Sequence, residues 1–343
     1  MNQIKIGLLG MGRIGRIHLR NINQHLDGAR IIAVADPQIE ASRFNAEYPG
    51  LFFSQEAQDV ITRQDIDAVL ICTPTSSHAN LIELAARNGK HIFCEKPMDL
   101  SLSRTISLAE MAKVSGVKLM LGFNRRFDPD FMLARQSVRE GRIGDLQIVK
   151  ITSRDPGLPP IDYIRNSGGL FMDMAIHDFD MARYIMGKEV KEVYARGLVV
   201  VDQAVGEAGD IDTALTTLIF EDDTYAVIDN SRKAVYGYDQ RLEIFGKGGM
   251  IRVGNNLHNQ NVLFDETGIH HALPLDFFMD RYSKSYQKEM EAFIDVLQND
   301  SPIPSGVEDA LQATLIAYGA NMSMRKGEPV RLSEIDISLK KAV

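Results

Sequence analysis

The sequence predicts an α/β protein: an N-terminal Rossmann dinucleotide-binding domain, then an α+β domain with a large, mainly antiparallel open sheet. Three observations carry this. Over roughly the first 120 residues, short runs rich in Val and Ile alternate with amphipathic segments, the rhythm of a parallel sheet with helices on both faces. After Phe123 strand patterns follow one another without helices between them, as antiparallel strands do. A glycine-rich turn joins the first strand run to the first helical pattern.

The expected strands of residues 1–122 are IKIGLLG, ARIIAVAD, DAVLICTP, HIFCEKP and KLMLGF. Each is a nearly continuous apolar run, which suits a strand buried on both faces. SSHANLIELAARNGK and SLSRTISLAEMAKVSG carry helical spacing between them. This domain should bind the cofactor. Residues 123–343 are expected to bind substrate and to mediate oligomerisation. There a helix, DPDFMLARQSVREGRIG, leads into the long strand DLQIVKITSRD, and a second helix follows at LFMDMAIHDFDMARYIMG. DTALTTLIFEDDTYAVIDNSRKA, QRLEIFGKGGMIRVG and QNVLFDETGIHH then read as strands, with FEDDTY and GKGG as hairpin turns. Late helices are expected near residues 281–298 and 306–325.

Composition narrows the function. Of 343 residues, 45% are hydrophobic and 24% charged, the balance of a soluble globular protein. A net charge of -8 without a basic run argues against nucleic acid as a partner. No apolar stretch approaches the ~20 residues of a membrane helix, so no membrane partner is expected. MNQIKIGLLG runs straight into a strand pattern, which predicts no signal peptide. Cys72 and Cys94 each sit in an apolar run and read as reduced core thiols of a cytoplasmic protein.

Gly10-Met11-Gly12-Arg13-Ile14-Gly15 has the spacing G-x-G-x-x-G, and it follows a strand and opens a helix. Gly10 permits the tight turn, Gly12 lets backbone approach a pyrophosphate, and Gly15 lets helix and strand pack closely. The helix N-terminus then offers free N–H groups to the phosphates. The second strand run ends at Asp36, where a carboxylate accepts hydrogen bonds from the ribose and repels a 2′-phosphate. Pro37 follows and supplies no cation for such a phosphate. The expected cofactor is NAD.

In a doubly wound sheet, ligands lie beyond the C-terminal strand ends. CTPTSSH, with Thr73, Pro74 and His78, falls at one such end, and Glu95-Lys96-Pro97 at another. Pro97 disfavours helical geometry at Lys96 and keeps it extended. A solvated strand end is the plain alternative; facing a dinucleotide and its substrate accounts better for paired charges after HIFC.

In the helical pattern of residues 168–187, Asp173, His177 and Asp180 recur at spacings that place them on one helical face. Phe171, Met174, Ile176, Phe179 and Met181 around them are apolar. The alternative is a solvated face, with Asp178 and Arg183 as further surface charges. Histidine, with an ordinary pKa of about 6.5, suits removal of a hydroxyl proton near neutral pH. The three could also ligate a divalent ion, but hydride chemistry needs none, and no metal is expected.

GLLGMGRIGRIH, CTPTSSH, FCEKP and GFNRRFD, in this order, resemble the Gfo/Idh/MocA oxidoreductase family. The resemblance spans nearly the whole chain. It implies that Lys96 is catalytic, that Glu95 lies near the nicotinamide ribose, and that Asp173 and His177 are the catalytic D-x-x-x-H pair. The loop SRDPGLPPIDYIRNSGG, with Arg125, Arg126, Arg154, Asp155, Tyr163, Tyr236 and Tyr238, offers polar groups to a polyhydroxylated substrate. GGLFMDMAIHDFDMARYIMG, SRKAVYGYDQRLEIFGKGGM and RYSKSYQKEMEAFIDVL are similar to bacterial inositol 2-dehydrogenases. That implies NAD-dependent oxidation of myo-inositol to a 2-keto inositol. Arg125, Asp155, Asp180 and Tyr238 would be substrate positions, and the expected assembly is a homotetramer through the open sheet face. Asn124 departs from relatives with Met before the arginine pair, which leaves the stereoisomer open, scyllo-inositol included. Another polyol dehydrogenase, or a non-catalytic NAD sensor, are the alternatives.

Overall fold

The computed structural model describes residues 3–335 and divides the chain into two compact units. The first comprises residues up to Phe127 together with Lys284–Thr314; the second holds Asp128–Ser283 and 315–335. Where the sequence reading drew a single boundary after residue 122, packing therefore returns a late helix to the first unit.

The sheet of the first unit contains β1 (Ile4–Leu9), β2 (Ala29–Ala35), β3 (Phe52–Ser54), β4 (Ala68–Ile71), β5 (His91–Cys94) and β6 (Leu119–Leu121). All five pairings are parallel and the strand order is β3-β2-β1-β4-β5-β6. This order reverses beside β1, so a crevice opens beyond the C-terminal ends of β1 and β4. β4 is buried along its whole length, as a central strand covered on both faces must be. The late helix Ser283–Asn299 buries Met290, Phe293 and Ile294 in the same core as Leu8, Leu70 and Phe93. Both thiols, Cys72 and Cys94, are free, and burial pushes both well above the ordinary thiol range.

In the second unit β7 (Leu146–Arg154), β8 (Val190–Leu198), β9 (Thr213–Phe220), β10 (Tyr225–Ser231), β11 (Asp239–Gly246), β12 (Gly249–Val253) and β15 (Val330–Arg331) form one sheet. Their order is β12-β11-β7-β10-β9-β8-β15, and only the β7–β10 pairing is parallel. β13 (Val262–Asp265) and β14 (Gly268–His271) make a separate exposed hairpin. Along β9 the even-numbered residues from Ala214 to Phe220 are buried and the others are not, so one face is covered. The other face leaves Leu215, Tyr225, Phe245 and Met250 exposed. β8, which the sequence reading had not singled out, alternates in the same way. Among the described residues, no helix is long and apolar enough to cross a membrane.

Candidate active site

Each glycine of the first loop has its own physical reason. Gly10 sits at φ +93°, and a Cβ there would stand 2.7 Å from the Cys72 carbonyl oxygen. A Cβ on Gly15 would stand 2.0 Å from the Gly10 carbonyl oxygen, so helix Arg13–His25 meets its own loop only without a side chain. Gly12 differs: nothing lies within 4 Å of the position its Cβ would take. Gly12 is also the N-cap of that helix and no side chain caps it. The helix thus begins without a side-chain cap beside open space at Gly12, with the positive end of its dipole there, the arrangement that receives phosphate.

Asp36, just past β2, fastens this loop. Its carboxylate accepts from the Met11 N–H and the Gln38 N–H, both at 2.8 Å. A carboxylate has about four acceptor positions, so capacity remains for ribose hydroxyls. The Met11 side chain joins the core, Ile14 is half-buried and Arg13 is exposed. These residues fit a dinucleotide.

The ends of β4 and β5 are tied together by His78. It is buried, with Nδ1 2.8 Å from the Pro97 carbonyl and Nε2 2.8 Å from the Thr73 carbonyl. The ring stands between two carbonyl oxygens and, as a neutral imidazole, donates to one of them, so His78 braces the crevice. Thr73 Oγ1 accepts from Ser77 Oγ at 2.6 Å, and Pro74 opens helix Thr75–Arg87 with no side-chain cap.

After β5 the peptide bond Lys96–Pro97 is cis and Lys96 is half-buried. Glu95 turns into the unit: its Oε1 lies 3.1 Å from His18 Nε2. A Cβ on Gly122 would stand 2.8 Å from its Oε2, so this carboxylate needs glycine opposite. Glu289, on helix Ser283–Asn299, is fully buried beside it. His18, Glu95 and Glu289 have polar atoms all within 4.8 Å of one another. Burial, then the charge of Glu95, push the Glu289 carboxyl well above the ordinary range. Asn124 and Arg125, in the turn Asn124–Phe127, are buried; Arg126 is fixed by the Pro304 carbonyl and the Asp309 carboxylate, both at 2.8 Å.

In the second unit the sequence's single helix is two. Gly169–Asp173 is one short helix and Ile176–Met186 the next, with Met174 and Ala175 between. Asp173 therefore does not share a continuous helical face with His177 and Asp180. Gly168 and Gly169 both take positive φ, at +84° and +81°. A Cβ on Gly169 would stand 2.8 Å from Asp210 Oδ1, which accepts instead from the Leu170 N–H at 3.0 Å.

Asp173 is held from two sides. Tyr163 Oη donates to Oδ1 at 2.7 Å, and Arg232 Nη1 donates to Oδ2 at 3.2 Å. Arg232 Nη2 reaches Asp210 Oδ2 at 3.2 Å. Arg232 is 1% exposed. Burial pulls its guanidinium down, but Asp173, Asp210 and Asp155 together hold it above its ordinary value. In the chain beside His177, Phe171, Met174, Ile176 and Phe179 are all buried. Asp180 is buried too, and Tyr238 packs edge-on against Phe277 and Tyr282, with ring centroids 6.0 Å away in both cases.

Several expected surface or ligand groups have other duties. Asp178 is fully buried and accepts from Asn230 Nδ2 at 2.8 Å. Arg183 is buried and paired with Glu189 at 2.6 Å. Arg154 is bound to Asp229 and, at 3.1 Å, to Tyr236. Sequence reasoning missed Arg232, Asp210, His18 and Glu289. The signal for Arg232 was available: two-residue alternation along β10 puts Asn230 and Arg232 on the face of Ala226 and Ile228. Glu289 lies likewise within the buried helical stripe of Tyr286 and Phe293.

A strand order of 3-2-1-4-5-6, an open glycine turn and an acid just past β2 define a dinucleotide-binding Rossmann domain. The comparisons agree. The model of an oxidoreductase family with an NAD-binding Rossmann fold, Gfo/Idh/MocA, matches residues 4–123, and that of the Gfo/Idh/MocA C-terminal domain matches residues 131–252. The chain belongs to the Gfo/Idh/MocA family. It is 44% identical over 333 residues to a Thermotoga maritima protein named myo-inositol 2-dehydrogenase, covering 97% of this chain and 99% of that one. A solved probable dehydrogenase from Thermotoga maritima superposes with a TM-score of 0.94 at 44% identity, over 97% of this chain and 100% of that one. A Lactobacillus casei scyllo-inositol dehydrogenase, solved with NAD(H) and scyllo-inositol, gives a TM-score of 0.90 at 32% identity, over 97% of this chain and 100% of that one.

Proposed function

We propose that the chain oxidises myo-inositol, or a close stereoisomer, to the 2-keto inositol with NAD. The observation that carries this reading is Asp173, a carboxyl group held in place by Tyr163 and Arg232 and followed four residues on by His177. A fixed carboxylate and an imidazole suit deprotonation of a neutral alcohol. NAD, when bound, accepts the hydride. His177 takes the hydroxyl proton, Asp173 orients the imidazole or holds a substrate hydroxyl, and Lys96 donates to the reacting oxygen and offsets its developing charge. Glu95 lies near the nicotinamide ribose. Arg125, Asp155, Asp180 and Tyr238 meet the remaining substrate hydroxyls. The Thermotoga maritima relative's name supports myo-inositol, and the Lactobacillus casei structure keeps scyllo-inositol as the second reading.

We further read the exposed apolar side chains on the open sheet face as the contact surface of a homotetramer. We place the enzyme in the cytoplasm. An isomer-resolved screen, following NADH absorbance with NAD and with NADP, tests the function. Turnover of one inositol with NAD is expected; turnover of other sugars alone would overturn the assignment. In the same assay Lys96→Met should lower kcat by about 10²-fold, the scale of one lost preorganised donor.

A further inference from the structure

The cluster beneath the E-K-P strand end has an electrostatic problem to solve. Glu289 is fully buried, and among the described residues neither of its oxygens receives a hydrogen bond. An ionised carboxylate in that state is very costly. Glu95, His18 and Cys72 lie beside it, and none of these three is a fixed cation. Phe93 and Tyr286 sit edge-on to the His18 ring, at 5.3 and 5.8 Å, and His18 is itself fully buried. Two carboxyl groups this close cannot both ionise without a cation between them, and sharing one proton relieves both.

We propose that Glu289 carries a proton and donates a hydrogen bond to Glu95, acting as a positioning residue for the acid next to Lys96. His18 Nε2 holds the same carboxylate at 3.1 Å, and the absence of a side chain on Gly122 gives its Oε2 room. With two donors and a fitted wall, Glu95 has one orientation, and so does the backbone from which Lys96 projects. The functional part rests on the role proposed above for Glu95 and Lys96; the protonation part does not.

The test separates the two. Infrared difference spectra of the NAD-bound chain, wild type minus Glu289→Gln at pH 7, should contain a carboxylic-acid carbonyl stretch. This needs no substrate, so it decides even if no inositol is turned over. A purely carboxylate spectrum, or a stoichiometric divalent ion bound to His18, Glu95 and Glu289, would overturn the proposal. Turnover tests positioning. Glu289→Gln keeps shape and a donor and should retain kcat within about threefold, whereas Glu289→Leu keeps volume, removes the donor and should lose about tenfold, the worth of one hydrogen bond to a charged group. Equal kcat in the two variants would overturn it.

Discussion

The glycine cradle of the first unit and the Asp173 support of the second achieve precision by opposite means. The cradle is made of backbone. Its specification is the absence of side chains at Gly10 and Gly15 and the open space at Gly12, all within six consecutive residues. The support is made of side chains, and its parts lie far apart: Tyr163, Asp173, Asp210 and Arg232. A backbone site is therefore written locally, whereas a side-chain site is spelled across elements that only folding brings together.

The sharpest way to break this comparison is Arg232→Met. If the second site is a network, removing its cation strands Asp173 and Asp210 in a buried setting. Breaking a buried pair in this way costs about 3–5 kcal/mol, which chemical denaturation would read directly. Losses below about 1 kcal/mol would mean that Asp173 is supported by other groups, since surface-like pairs cost no more than that.

The cradle makes a different demand on its own glycines. Gly15→Ala places a Cβ 2.0 Å from a carbonyl oxygen and should cost about 1–3 kcal/mol of stability, the usual cost of overpacking. Gly12→Ala enters open space at φ -67°, a conformation any residue adopts. It should leave the unfolding midpoint nearly unchanged and weaken NAD binding, measured by calorimetry. Equal stability losses in the two would show that the motif is one structural turn, without a separate ligand-facing position.

These contrasts explain what could be read from the sequence. Five of the six Rossmann strands and the glycine spacing were legible because periodicity and spacing specify them within short windows; the three-residue edge strand β3, Phe52–Ser54, was passed over because it is too short to show a period. The mainly antiparallel second sheet was legible from alternation, although β8 was passed over. The Asp173–His177–Asp180 stripe was only half legible. Its spacing assumed one helix, but the chain breaks at Met174–Ala175. Gly168 and Gly169 at positive φ start the first piece, and Asp210 fastens its N-terminus. His78 was placed at the correct strand end, but its two carbonyl partners come from separate loops. Glu289 was hidden for the same reason, since nothing near it in sequence announces Glu95.

The last effect concerns that pair and has a sign that can be worked out. Burial and the neighbouring Glu95 raise the Glu289 carboxyl well above its ordinary value in the folded chain. Unfolded, it titrates near 4.3. Below that pH both states hold the proton and its contribution is complete. As pH rises, the unfolded state releases the proton while the folded state keeps it, so stability is lost until the folded group itself titrates. The loss is about 1.4 kcal/mol per pH unit for one proton. Glu289→Gln cannot titrate. Its unfolding free energy should therefore match the wild type near pH 4 and exceed it increasingly toward neutrality, in urea melts run across that range. A gap that stayed constant with pH would mean that Glu289 ionises alike in both states, and the buried carboxyl would then need a cation that the first unit has yet to reveal.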